Sequence, residues 1–208
     1  MQIQTLVGPQ QSAIGALQQN LRTGRQGDVI VSELHGRYYE TTSSKAMFSA
    51  ANQAGQVTTV ALATTYTGLC LSNPVGSQVN LVLNKVSATF PVAPAAAMAV
   101  GIMTGYNAVT NVTHTAAVTP KSQFIGTGPT PVALVDSSAT LPTAPTLNTV
   151  LGFVGTAAIT AVNGVAGIYE DLEGSIIIPP GGYAAIYTST ASGAAGMFAS
   201  FSWEEVAI

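Results

Sequence analysis

From residue 57 onward, apolar and polar positions alternate with the two-residue period of strands, and turn residues recur roughly every 8 to 12 positions. "VTTVALAT" (57–64) is a strand candidate. "TGLCLSNPVGSQVNLVLNKVSATFPV" is the clearest unit: Leu69 and Leu71 alternate, "NPVGS" turns, and Val79, Leu81 and Leu83 then point one way with Asn80 and Asn84 near the other face. "AMAVGIMTGY" (97–106) continues the pattern. The Pro-, Ser- and Thr-rich stretch that follows predicts long loops with one short strand at 132–135, and "TVLGFVGTAAIT" returns to strand character. In "GSIIIPPGGYAAIYTST", 176–178 and 183–187 flank Pro179-Pro180-Gly181-Gly182, which cannot continue a ladder because proline lacks the N–H and glycine permits positive φ. In "GMFASFSWEEV", Met197, Ala199, Phe201 and Trp203 share one face against Phe198, Ser200, Ser202 and Glu204, as in a core strand.

The beginning differs. Ile14, Leu17 and Leu21 lie three and four residues apart, one short helical stripe that "TGRQG" ends. Too few apolar side chains surround it to form a core, so it must lie on something else. No fixed-period repeat is present, and no segment after residue 45 has a strong helical pattern. The expectation is an all-β chain: an antiparallel β-sandwich of the jelly-roll kind over 51–208, preceded by an extended, partly helical N-terminal arm over 1–50.

Composition adds a second inference. Of 208 residues, 47% are hydrophobic and only 7% are charged, against roughly 25% in an ordinary soluble domain. Mean hydropathy is +0.39. A soluble monomer relies on charge for solvation, so the shortage predicts a surface largely covered by other copies or partners, and hence a homo-oligomer. A membrane is the other explanation, but "PVAPAAAMAVGIM" is too short and too rich in proline for a span of about 20 residues. The first residues lack the basic start and apolar run of an export signal, which predicts synthesis in the cytoplasm. A net charge of −3 argues against a broad grip on nucleic acid.

Charge is also unevenly placed. Arg22, Arg25, Asp28, Glu33, Arg37, Glu40 and Lys45 fall within the first 45 residues, seven of the fifteen charged side chains. "SELHGRYYE" (32–40) concentrates them. A Glu33–His35–Arg37 acid–base site is one reading. No nucleophile is nearby, however, and Arg and Tyr are the residues that anchor protein interfaces. The favoured reading is a partner-contact segment made by Arg22, Arg25, Glu33, His35, Arg37, Tyr38 and Tyr39.

Other chemistry is sparse. Cys70 cannot form an internal disulfide and sits among apolar neighbours, so it reads as a small buried residue. His114 has no acidic neighbour in sequence. Two histidines and one cysteine, scattered, do not make a metal site. "GTGPTP" (126–131) lacks the Lys-Ser/Thr of a phosphate loop, and no GxSxG elbow is present. "YEDLEGS" (169–175) offers oxygen ligands but matches no calcium-loop spacing, so a solvated loop is expected. Glu204 and Glu205 are adjacent on a strand and point to opposite faces, which suits a charged strand end and not a glycosidase pair. The chain therefore reads as non-enzymatic, without cofactor or metal.

"GRQGDVIVSELHGRYYE" (24–40), "FSAAN" (48–52), "GLCLSNPVGSQVNLVL" (68–83) and "SFSWEEVAI" (200–208) together resemble a group of tailed-bacteriophage virion structural proteins. The resemblance implies a single jelly-roll module acting as a trimeric capsid decoration, or cement, protein. It would be made in the host cytoplasm and lie on the capsid surface, with its arm against the major capsid protein. Two other readings stand beside it: a tail, baseplate or head-fibre component, and a jelly-roll carbohydrate-binding module.

Overall fold

A computed structural model describes residues 36–59, 62–94, 96–155 and 167–208. The chain divides into two compact units, Met1–Tyr39 and Glu40–Ile208. The expected helix around Ile14–Leu21 falls outside the described residues.

Among the described residues, one short helix, α1 (Tyr39–Ser43), precedes the strands. Its end is defined by a pair of backbone bonds: Ala46 N–H donates to Thr41 O (3.0 Å) and Lys45 N–H to Thr42 O (3.0 Å). Lys45 takes φ of 64°, the left-handed turn that stops a helix.

Eleven strands follow: β1 (Met47–Ala51), β2 (Thr65–Ser72), β3 (Val79–Thr89), β4 (Met98–Tyr106), β5 (Thr113–Val118), β6 (Lys121–Ser122), β7 (Leu134–Thr140), β8 (Thr146–Val154), β9 (Ile168–Ile178), β10 (Gly182–Thr188) and β11 (Phe198–Ala207). They form two antiparallel sheets packed as a sandwich. The five-stranded sheet runs β6-β1-β11-β3-β9 and the six-stranded sheet β5-β7-β2-β10-β4-β8.

The core between the sheets is what the alternation predicts. Leu69, Leu71, Leu81, Leu83, Phe201 and Trp203 are fully buried, and Met197 and Ala199 complete the inward row of the last strand. Phe48 stacks on Trp203 with ring centroids 6.2 Å apart, an offset aromatic contact that adds to the area both rings bury. Phe48 is on β1, so the five-stranded sheet begins at Met47. The arm-to-sandwich boundary expected at 50/51 falls inside that strand.

The turns are used differently from hairpins. "PPGG" joins β9 to β10, and "NPVGS" joins β2 to β3; in both cases the chain passes from one sheet to the other. The two turns dock on each other: Gly181 N–H donates to Asn73 O (2.8 Å) and Asn73 N–H to Gly182 O (2.9 Å). The Asn73 side chain adds bonds to Val79 O (2.8 Å) and Ile178 O (3.0 Å). The buried amide thus satisfies carbonyls at the start of β3 and the end of β9, neighbouring strands of the five-stranded sheet.

Several local expectations change. Residues 57–59 and 62–64 are not strand; β2 starts at Thr65. The strand expected at 132–135 is β7, which is longer and begins at Leu134. "YEDLEGS" is not a loop before a strand but part of β9. There the pairing with β3 jumps from Leu83↔Ile176 to Lys85↔Asp171, a bulge in which Glu173 (φ 52°) and Gly174 (φ 81°) turn left-handed and Leu172 is buried. Asn84 is buried too, at the bulge, with its amide on the Met47 sulfur (3.4 Å).

Candidate functional site

The two sheets differ in charge. Of the chain's fifteen Lys, Arg, Asp and Glu, the five-stranded sheet holds Lys85, Lys121, Glu170, Asp171, Glu173, Glu204 and Glu205. The six-stranded sheet holds one, Asp136, and it is 0% exposed. No Lys, Arg, Asp or Glu on these six strands faces water, and His114 of β5 is exposed.

The edge strand β8 gives this sheet its surface. Met98, Val100 and Ile102 of β4 point into the main core, while Met103 belongs to a second buried cluster with Tyr66, Cys70, Tyr183 and Ala185. Residues 99, 101 and 103 therefore face away from the main core, with Met103 covered by that second cluster. On β8 the register slips twice, between Val100 and Gly101 and between Ile102 and Met103, so that Phe153 pairs with Ala99, Val150 with Gly101 and Leu147 with Met103. A regular strand would send residues three apart to opposite faces. Two single-residue bulges bring Leu147, Val150 and Phe153 onto one face instead. They are 38%, 61% and 65% exposed. Tyr187 of β10 extends the row from Gly101 and is half-buried.

Beside this stripe, two tyrosines fill space that glycine leaves. Tyr183 lies directly across from Gly105, where a Cβ would come within 2.1 Å of the phenol oxygen. The Tyr183 hydroxyl donates to Thr143 O (2.6 Å). Tyr66 donates to Ile186 O (2.8 Å) over Gly68. Burial raises both phenols above their ordinary pKa.

The six-stranded sheet also contains the one buried carboxylate among the described residues. Asp136 Oδ2 meets His114 Nδ1, and Asp136 Oδ1 has no partner among the described residues. Cys70 is the register partner of Asp136 on β2. Burial, and secondarily the Asp136 charge, push the Cys70 thiol far above its ordinary range, which is the reverse of what activates a thiolate. Ser72 shares a small cavity of about 10 Å³ with His114, but its hydroxyl donates to Leu134 O (3.3 Å). The imidazole and carboxylate are thus brought together without a nucleophile bonded to them and without room for a substrate. No sequence signal pairs these two residues, because β5 and β7 meet only in the fold.

Glu205 also departs from expectation. It accepts the backbone N–H groups of Val132 (3.0 Å) and Ala133 (2.9 Å), and the Trp203 indole N–H lies 3.4 Å away. It is a clamp holding the chain before β7 onto β11, not a solvated strand end.

Of the expected contact residues, Arg22, Arg25, Glu33 and His35 lie outside the described residues. Arg37 and Tyr39 are exposed and Tyr38 is half-buried. A cleft of about 510 Å³ between the β8 and β9 edges is lined by Tyr106, Thr143, Asn148 and Ile177 among others. Among the described residues, no group of three His, Cys, Asp or Glu could hold a metal ion, and no helix is long and apolar enough to cross a membrane. Compared with known protein families, curated proteins and solved structures, the chain matches none.

Proposed function

We propose that the chain is a non-enzymatic structural protein of a bacteriophage virion, a decoration protein that adds contacts to the capsid shell. The observation that carries this reading is the six-stranded sheet with no solvent-facing Lys, Arg, Asp or Glu and an exposed Leu-Val-Phe stripe on its β8 edge. A surface of that kind is unfavourable in a free monomer and normal in a subunit. The strand order supports the jelly-roll part of the reading. β1-β11-β3-β9 faces β2-β10-β4-β8, and each sheet takes its strands alternately from the chain, as two interleaved Greek keys require. Viral capsid subunits and lectins are common uses of that architecture.

The proposed mechanism is mechanical. Trimers bind the assembled shell, and segment 1–39, with Arg22, Arg25, Glu33, His35, Arg37, Tyr38 and Tyr39, contacts the major capsid protein. Binding the assembled state alone stabilises it by mass action, and several arms per trimer add avidity. Purified protein is added to undecorated shells, with a variant lacking 1–39 alongside. The full chain is expected to saturate the shells and the truncated one to remain in solution, still folded by circular dichroism. Full occupancy by the truncated chain would sink the arm's role. Copy number separates shell from tail: hundreds per particle support the decoration reading, whereas a few to tens favour a tail, baseplate or head-fibre component. The cleft beside Tyr106, which is 56% exposed, favours a carbohydrate-binding module as the second reading. A glycan array without binding removes that reading.

A further inference from the structure

We infer that the cleft between the start of β8 and the end of β9 binds a neutral oligosaccharide, stacked on Tyr106 and hydrogen-bonded by the threonines and Asn148 around it. The inference rests on the carbohydrate-binding reading given above and on no virion location.

The fold makes the cleft by letting two edge strands part. β8 and β9 touch at one end, where a Cβ on Gly152 would lie 3.2 Å from Ile168 Cδ1. At the other end Thr146 and Ile178 line opposite walls of a cleft of about 510 Å³, a volume in the range of small-ligand sites. The inward row of β4 changes character at the same place. Met98, Val100 and Ile102 fill the main core, and the next two inward positions are Thr104 and Tyr106.

Three features select the ligand. The first is charge. None of the residues lining the cleft is charged, so an ionic ligand finds no counter-charge there and a neutral one loses nothing by entering. The second is the polar inventory. Thr104, Thr143 and Thr146 bring hydroxyls, which both donate and accept, and Asn148 brings an amide. A hydrocarbon ligand would leave these groups unpaired, whereas a polyol meets them with hydroxyls of its own. Asn148 is the extra residue of the second β8 bulge, with no partner on β4, the kind of position that re-aims a side chain. Its Oδ1 accepts the Thr149 hydroxyl (2.8 Å), which fixes the amide and turns Nδ2 to the ligand.

The third is Tyr106. It is 56% exposed, and its hydroxyl bonds to none of the described residues. Its cross-strand partner is Gly182, which raises no side chain beside the ring. A flat aromatic face bordered by hydrogen-bonding groups suits a sugar ring, which carries C–H groups on its faces and hydroxyls at its edge. Ile177, 57% exposed at the β9 rim, leaves the cleft open on its outer side, so a chain of sugar rings can run through it.

The test uses the purified full-length protein on an array of neutral and acidic oligosaccharides, with uncharged extended peptides spotted beside them. The best neutral glycan is then titrated by calorimetry. Neutral glycans are expected to bind, with a Kd that changes less than about 2-fold between low and half-molar sodium chloride. Y106A is expected to weaken binding by at least about 10-fold through loss of the ring, and Y106F by about 3-fold through loss of the hydroxyl alone. N148A is expected to weaken it by about 3-fold or more. Tyr106 and Asn148 are both exposed, and circular dichroism checks that the variants stay folded; should Y106A unfold, Y106F and N148A decide. V150A, on the same strand but outside the cleft, binds like wild type. Glycan binding that survives Y106A and N148A overturns the inference and leaves the carbohydrate-binding reading standing. An array on which no glycan binds overturns both. Binding confined to acidic glycans or to the peptides overturns the ligand assigned to the cleft.

Discussion

At the scale of single residues, the buried polar groups are the positions most open to failure, and Asp136 is the first of them. Its carboxylate is fully buried, keeps one partner, His114, and leaves Oδ1 without a hydrogen bond among the described residues. Removing that partner leaves an uncompensated buried charge, which costs far more than the pair itself contributes. H114A is expected to lose about 3 kcal/mol in urea denaturation. The double variant H114A/D136A should recover much of that loss, since two apolar groups leave nothing unsatisfied. A double variant as unstable as H114A would show that packing, not charge, holds this corner. Cys70 and the tyrosines give a second expectation. An acid whose pKa is raised on folding keeps its proton in the native state after the unfolded chain has lost it. Stability therefore falls as pH rises past the unfolded value. Melting temperature is expected to hold near neutrality and to decline above roughly pH 8.5, where an unfolded thiol ionises. C70A should move the onset up toward the unfolded tyrosine value of about 10. An unchanged onset in C70A would assign the decline to Tyr66 and Tyr183.

At the scale of elements, the turns that switch sheets are the demanding positions. Gly181 has φ of 85°, and a Cβ there would sit 2.4 Å from the Asn107 carbonyl oxygen. Gly76 has nearly the same φ, 81°, but its Cβ would meet open space. G76A is expected to cost about 1 kcal/mol, the conformational term alone. G181A adds a backbone clash and is expected to cost at least about 3 kcal/mol. Equal losses in the two urea midpoints would mean that the docked turns yield without strain. The sequence was most informative at this scale where one face is buried. Met197 to Trp203 and Leu81 to Leu83 alternate cleanly because a single core dictates their period. It was least informative at bulges and edges. Leu147, Val150 and Phe153 lie three apart in a stretch with strand character, so alternation does not put them on one face until two extra residues do. "YEDLEGS" looks like a loop because a three-residue excursion in β9 requires the Gly and acids that loops also use. Asp136 and His114 could not be paired in advance, since their contact depends on strand order and not on spacing.

At the scale of the whole molecule, low charge is not spread evenly but segregated. One sheet keeps the ions that hold the protein in solution, and the other keeps the buried Asp136 with the exposed His114 beside it. Averaged over the chain, the same composition suggests general insolubility; divided by sheet, the charge lies on one, while the outer face of the other is largely covered by the chain's own second cluster and leaves the β8 stripe exposed. That division sets how association should respond to solvent. A contact made through charge weakens as salt screens it. One made through the Leu147–Val150–Phe153 stripe buries apolar area and gains from salts excluded from protein surfaces. Self-association of the full-length protein is therefore expected to change less than about 3-fold when sodium chloride is raised from low to half-molar levels, and to strengthen with ammonium sulfate. Binding of the arm, with its arginines and acids, to a charged partner should fall over the same range. Sedimentation velocity for the first and co-sedimentation with shells for the second separate the two surfaces by their salt response. Self-association that collapses in sodium chloride would place the copy contact on the charged sheet instead.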